Sequence, residues 1–193
     1  MSGRDPMEFG WWLASRASGI VALVLIALSV AIGLTMAAKA VPSPSTRRLL
    51  IAIHEHAALA ALVAIAVHGI TLLGDSFLSP GLAGIAVPFV IDHEPVFTGL
   101  GIIGGYLAAI LGLTFYIRRR IGTKRWRNLH RVTPVVYVLG MVHAAGSGTD
   151  AGQSWMVALL VATGAPILYV GVMRALPAER PAVSASAARA ERG

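Results

Sequence analysis

Four histidines could do chemistry in this chain: His54 and His68 in "LLIAIHEHAALAALVAIAVHGITLL" (49–73), and His130 and His143 in "NLHRVTPVVYVLGMVHAAG". Both stretches are apolar enough to enter a membrane. Ionisable side chains are costly in hydrocarbon, so they are rare there and usually functional. The first pair is 14 residues apart and the second 13, which places roughly 20 Å of helix axis between the members of each. If the two helices run in the same direction, His54 faces His130 at one depth and His68 faces His143 at the other. Fourteen residues leave His54 and His68 about 40° apart, on one face of their helix. Thirteen leave His130 and His143 about 140° apart, which fits poorly. Pro134 offers a remedy: it cannot bond the carbonyl of His130, four residues back, and is expected to bend or rewind that turn.

Facing histidines between parallel helices are what a six-coordinate haem iron needs. Each neutral imidazole supplies one axial nitrogen, and the apolar bundle core holds the porphyrin. Two such pairs stacked across a bilayer make an electron path from face to face. Two haems b are therefore expected, with His54, His68, His130 and His143 as iron ligands. A lone intramembrane histidine is ordinarily a hydrogen-bonded packing residue; four at matched depths argue for more than packing. The "HEH" of His54, Glu55 and His56 offers a divalent-metal alternative. However, residues i and i+2 point about 200° apart on a helix, and the HExxH spacing of zinc proteases is absent. His56 is better placed as a neighbour of haem or a partner for Glu55. A proton or ion carrier would need acids distributed through the core, and Glu55 is the sole candidate.

The elements that must position these residues are membrane helices. Of 193 residues, 56% are hydrophobic and 13% charged, against about a quarter charged in soluble domains, and the mean hydropathy is +0.73. Five apolar segments, near residues 18–38, 49–73, 97–117, 129–146 and 154–176, predict an all-α polytopic bundle of five spans. Trp11 and Trp12 suit an interfacial anchor at the start of the first, whose apolar core is too long for a signal peptide. Direction follows from the positive-inside rule. "RRRIGTKRWRNLHR" contains no acid, whereas "GDSFLSPGLAGIAVPFVIDHEP" holds Asp75, Asp92 and Glu94 and no lysine or arginine. Of the 16 basic residues, all but Arg4 and Arg16 fall on one side. The expected topology has the N-terminus outside and the C-terminus in the cytoplasm, in a multi-pass protein of the cell membrane. The formal charge of +7 then belongs to cytoplasmic loops and anionic lipid, with no nucleic-acid partner. Residues 1–176 form the membrane domain, and 177–193, rich in Pro, Ala and Ser, are expected to be a disordered cytoplasmic tail. No cysteine is present, so thiolate metal sites and cysteine-ligated clusters are excluded. No nucleotide-binding glycine motif follows a candidate strand.

The segments "WWLASRASGIVALVLIALSVAIGL", "IHEHAALAALVAIAVHG", "RRRIGTKRWRNLHRVTPVVYVLGMVHAAGSGTD" and the outer-loop "VPF" resemble the ferric reductase-like transmembrane domain. That haem-b core is shared by ferric reductases, NADPH oxidases and the haem subunit of the periplasmic methionine sulfoxide reductase system. The resemblance covers about residues 11–155, and W-R-x-L-H with a second histidine 13 residues on is its most specific part. Carried over, the family's haem ligands fall on His54, His68, His130 and His143. The resemblance implies electron flow from a cytoplasmic haem to an outer haem, then to an extracytoplasmic acceptor such as ferric iron, oxygen or a periplasmic enzyme. Many members have six spans and a cytoplasmic flavin and nicotinamide domain. Five spans are counted here and no such domain is visible, so the chain is expected to be one component of a reductase served by a separate flavoprotein or quinol donor.

Arg16 is placed either to pair with propionates of the outer haem or to snorkel to the interface. Arg131, with Arg47 or Arg48, stands in the same relation to the inner haem, or simply sets topology and meets lipid. Asp92, His93 and Glu94 form an exposed acidic cluster that either docks a metal or a partner or is a solvated turn. Trp126 suits an interfacial anchor, and Gly99, Gly101, Gly104 and Gly105 allow close helix approach or room beside a macrocycle. Two rivals remain: a haem-free metal-ion transporter, and a membrane anchor that recruits a partner through "RRRIGTKRWR".

Overall fold

A computed structural model describes residues 6–176 apart from Lys39 and Pro42, and side chains from Phe9 onward. The expected disordered tail, 177–193, lies outside the described residues. Among the described residues every regular element is a helix: α1 (Pro6–Ala37), α2 (Pro44–Leu72), α3 (Gly81–Ala86), α4 (Pro95–Leu113), α5 (Arg118–Ile121), α6 (Thr123–His130), α7 (Thr133–Ser147) and α8 (Ser154–Ala175). Among the described residues, four helices (α1, α2, α4 and α8) are long and apolar enough to cross a membrane. The fifth expected span is α7, with only 15 residues. That length gives about 22 Å, short of a hydrocarbon core of ~30 Å. The expected fifth segment, 129–146, is divided between two helices, with the bend or rewinding anticipated near Pro134. Its first turn belongs to α6, and the break falls at Arg131 and Val132, just before Pro134. The carbonyl of His130, which proline cannot satisfy, accepts the hydroxyl of Thr133 at 2.6 Å instead.

Heptad spacing explains the tightest contact, between α1 and α2. His54, Ala57, Ala61, Ala64, His68 and Thr71 recur at alternating steps of three and four along α2, and the alanines and Thr71 are buried. On α1 the facing stripe is Ser15, Gly19, Ala22, Ile26, Ser29 and Gly33. A sustained seven-residue repeat keeps one stripe on its partner because the pair supercoils slightly, absorbing the drift of about 20° per heptad. The 14-residue separation of His54 and His68 is thus two heptads. Small residues fill the seam because association in lipid depends on close backbone approach.

The bundle core lies on the other side of α1. Leu23, Ala27 and Val30 pack with Tyr137 of α7 and Ile167 of α8. The Tyr137 hydroxyl is paired with Thr163 at 2.7 Å, as a phenol buried to 2% exposure requires. Large apolar side chains such as Val161, Leu168 and Tyr169 remain on the outer surface, which suits a lipid surround. α4 and α7 pack antiparallel, as α1 and α2 do. α2 and α7 run in the same direction, since His54 lies beside His130 and His68, further along α2, beside His143, further along the chain in α7.

Candidate functional site

Parallel α2 and α7 bring the four histidines together in pairs. The rings of His54 and His130 have centroids 5.9 Å apart and are perpendicular, at 90°. Those of His68 and His143 are 6.1 Å apart at 75°. The turn between α6 and α7 resolves the 13-residue misfit, since His130 and His143 no longer share one helix.

Three of the four rings are held by a neighbouring backbone carbonyl. Nδ1 of His68 donates to the carbonyl of Ser15 at 2.8 Å, and Nδ1 of His54 to that of Ser29 at 2.8 Å. Nδ1 of His143 donates to the carbonyl of Phe97 at 3.0 Å. A carbonyl only accepts, so each contact requires the proton on Nδ1 and leaves the lone pair on Nε2. A hydroxyl joins each contact: Ser15 at 3.2 Å, Ser29 at 3.0 Å and Ser147 at 3.0 Å.

Each ring also lies against the glycine four residues beyond its carbonyl. A Cβ at Gly19 would come within 3.0 Å of Nδ1 of His68, and one at Gly33 within 3.3 Å of Cε1 of His54. At Gly101 the distance to Nδ1 of His143 would be 2.5 Å, closer than real side chains stand. Carbonyl at i and glycine at i+4 therefore recur three times. The fourth case breaks the pattern. Leu111 stands 14 residues after Phe97, but Nδ1 of His130 is buried with no hydrogen-bond partner among the described residues. Position 115 is Phe115 rather than glycine. Trp126 stacks on His130 instead, with centroids 4.8 Å apart and planes at 23°, and Phe115 packs edge-on against Trp126.

A cavity of about 920 Å³ opens around the His68–His143 pair, walled by α1, α2, α4 and α7 and by the loops at that end. Gly101, Gly104 and Gly105 line it, and Gly101 and Gly104 also lie close against α7. Gly99 instead packs under Phe89. Arg16 also lines the cavity, and its guanidinium grips Asp150 through two contacts of 2.5 and 2.8 Å. Trp12 and Trp155 flank that guanidinium. Arg131 caps α6 and is exposed. His56 turns away from the pairs and bonds the Ala52 carbonyl of its own helix at 2.7 Å. Among the described residues no three of His, Asp and Glu converge as a metal cluster would. His93, in the loop before α4, also lines the cavity, a placement the sequence reading did not assign.

The sequence reading also missed Ser15, Ser29 and the stacking role of Trp126, which it assigned to interfacial anchoring. The serines had a signal. "SRASG" and "SVAIG" are the same S-x-x-x-G pattern 14 residues apart, the interval that separates His54 from His68. Phe97 had none, because a backbone carbonyl is contributed by any residue type.

Fold and geometry together define a class: a membrane helix bundle in which two parallel helices confront their histidines in pairs, one pair towards each end. The chain belongs to the family of ferric reductase like transmembrane components, which it matches over residues 18–141. The matched segment contains His54, His68 and His130 and ends two residues before His143. No curated protein and no solved structure matches the chain. Transmembrane electron transfer is the function this membership indicates.

Proposed function

We propose that this protein is a di-haem cytochrome b that carries single electrons across the cell membrane, from a cytoplasmic or membrane donor to an extracytoplasmic acceptor. The observation that carries the proposal is the confrontation of two histidine pairs at 5.9 and 6.1 Å. Two imidazoles sharing one metal at about 2 Å each have ring centres about 6 Å apart. Proton placement agrees: Nδ1 is committed to a carbonyl in His54, His68 and His143, which leaves Nε2 as the ligand atom, oriented by a fixed outer partner. The cavity at the outer pair is of the size and apolar character of a cofactor site.

In this reading His54 and His130 hold the inner haem, and His68 and His143 the outer. Bound iron supplies the one-electron redox change. The chain supplies position: glycines let α1 and α4 close on the rings, and the seam of α1 and α2 fixes the vertical spacing. Apolar walls exclude water and keep the dielectric low, which limits reorganisation around a moving charge. Arg16 places a cation at the rim of the outer cavity, and Asp150 holds it there. By the positive-inside rule, Arg131 and the basic residues of α5 and α6 support a cytoplasmic location for the end bearing His130, where anionic lipid would meet them. Asp75, Asp92, Glu94 and Asp150 mark the opposite, outer end. The N-terminus then lies outside and the C-terminus in the cytoplasm. A separate flavoprotein or quinol would deliver electrons to the inner haem. Ferric iron, oxygen or a periplasmic enzyme would accept them from the outer one.

Reconstituted vesicles test the relay. With ferricyanide trapped inside and dithionite outside, vesicles containing the haem-loaded protein should bleach the trapped ferricyanide, and empty vesicles should not. Protein that carries both haems yet leaves the ferricyanide oxidised would overturn the relay.

A further inference from the structure

Hydroxyls in membrane helices usually return to their own backbone, three or four residues back. In this bundle Ser18 bonds the carbonyl of Ala14, Thr35 that of Ala31, Thr71 that of Val67 and Thr163 that of Leu159. Ser15 and Ser29 depart from that rule. Both are buried, at 4% and 5% exposure, and both hydroxyls cross to α2. There each meets Nδ1 of a histidine and approaches that same histidine's carbonyl, at 3.5 Å for His68 and 3.3 Å for His54. Each serine thus presents two acceptors to one ring N–H, its carbonyl and its hydroxyl. The hydroxyl proton is free to point at the histidine carbonyl. The arrangement occurs twice at a two-heptad interval, with Gly19 and Gly33 completing each contact. A satisfied hydroxyl would need neither the cross-helix reach nor its repetition.

We propose that Ser15 and Ser29 are positioning residues, each assigned to one redox site: Ser15 sets the ligand character of His68, and Ser29 that of His54. This rests on the di-haem reading above. Acceptors on Nδ1–H make the imidazole a stronger donor through Nε2, which favours the ferric state. Removing the hydroxyl leaves the carbonyl contact and the tautomer in place but weakens the donor. The affected haem therefore becomes easier to reduce. The two serines act on separate haems because His54 and His68 stand roughly 20 Å apart along α2.

The experiment is a potentiometric titration of full-length protein carrying both haems, in the wild type, Ser15→Ala, Ser29→Ala and the double variant. Each single variant should raise one midpoint and leave the other in place, and the two should raise different midpoints. The double variant should show both shifts, with haem content unchanged. Unmoved midpoints, or both midpoints moving together in each single variant, would overturn the assignment. A second measurement needs no haem. In ¹⁵N spectra of the histidine side chains of the full chain prepared without haem, Ser15→Ala should shift Nδ1 of His68 alone and Ser29→Ala that of His54 alone. Absence of any such selective shift would also overturn it. A protein that never takes up haem but shows these selective shifts would overturn the di-haem reading and leave the serine contacts standing.

Discussion

The two histidine pairs use the same residue types at the same ring separation, yet they are supported differently. Both outer rings sit on long or uninterrupted helices, each fixed by a carbonyl, a hydroxyl and a glycine, around an open cavity. The inner pair has one ring so fixed, His54, and one that is not. His130 ends the eight-residue α6, separated from α7 by the turn ahead of Pro134. Among the described residues its Nδ1 has no hydrogen-bond partner, and a tryptophan stacks on the ring. The outer site is therefore built into the bundle, whereas half of the inner site rides on a surface helix. Matching ligands do not imply matching rigidity.

The strongest way to break the comparison is to damage the outer cradle alone. Gly101→Leu places side-chain atoms where the His143 ring stands, so the outer haem should be lost. Haem content should fall from two to about one per chain while the inner signals persist. Loss of both haems would show that the sites are not separate. Next in size is Asp150→Ala, which strips a mostly buried carboxylate from Arg16. With the Arg16 side chain 32% exposed, the cost should be on the order of 1–2 kcal/mol, less than for a fully buried pair. Thermal release of the outer haem should occur at lower temperature, with the inner unaffected.

Trp126→Ala sharpens the comparison from the inner side. Stacking of this kind contributes about 1 kcal/mol, so displacement of His130 should become roughly fivefold easier. Carbon monoxide added to the reduced protein should then bind the inner haem and leave the outer one untouched. Smallest is Tyr137→Phe, which removes one hydroxyl contact behind α7. Thr163 still bonds the Leu159 carbonyl at 2.8 Å, so about 0.5–1.5 kcal/mol of stability should go. Because Tyr137 belongs to the shared core, thermal unfolding in detergent should shift without preference for either site.

Much of this was legible in the sequence because membrane helices obey few rules. Length, hydropathy and basic loops located the spans of α1, α2, α4 and α8, and helical rise alone matched His54 to His130 and His68 to His143. Pro134 marked the place where the segment had to break, but the shortness of α7 was not read, although His130 and Arg131 interrupt the apolar run just before Val132. The Arg16–Asp150 pair joins residues 134 positions apart, and no local pattern links them. Trp126 satisfied the interfacial rule so well that its contact with His130 was hidden. The serines were visible only to a search for the histidine interval on another helix.

The most direct measurement is the visible spectrum of the purified protein, oxidised and dithionite-reduced, with haem quantified per chain in the wild type, His68→Ala and His130→Ala. Two low-spin b-type haems, falling to about one in each variant, are the expected result. A protein that stays colourless after haem-supplemented expression, or that keeps both haems in either variant, would contradict the paired-histidine sites.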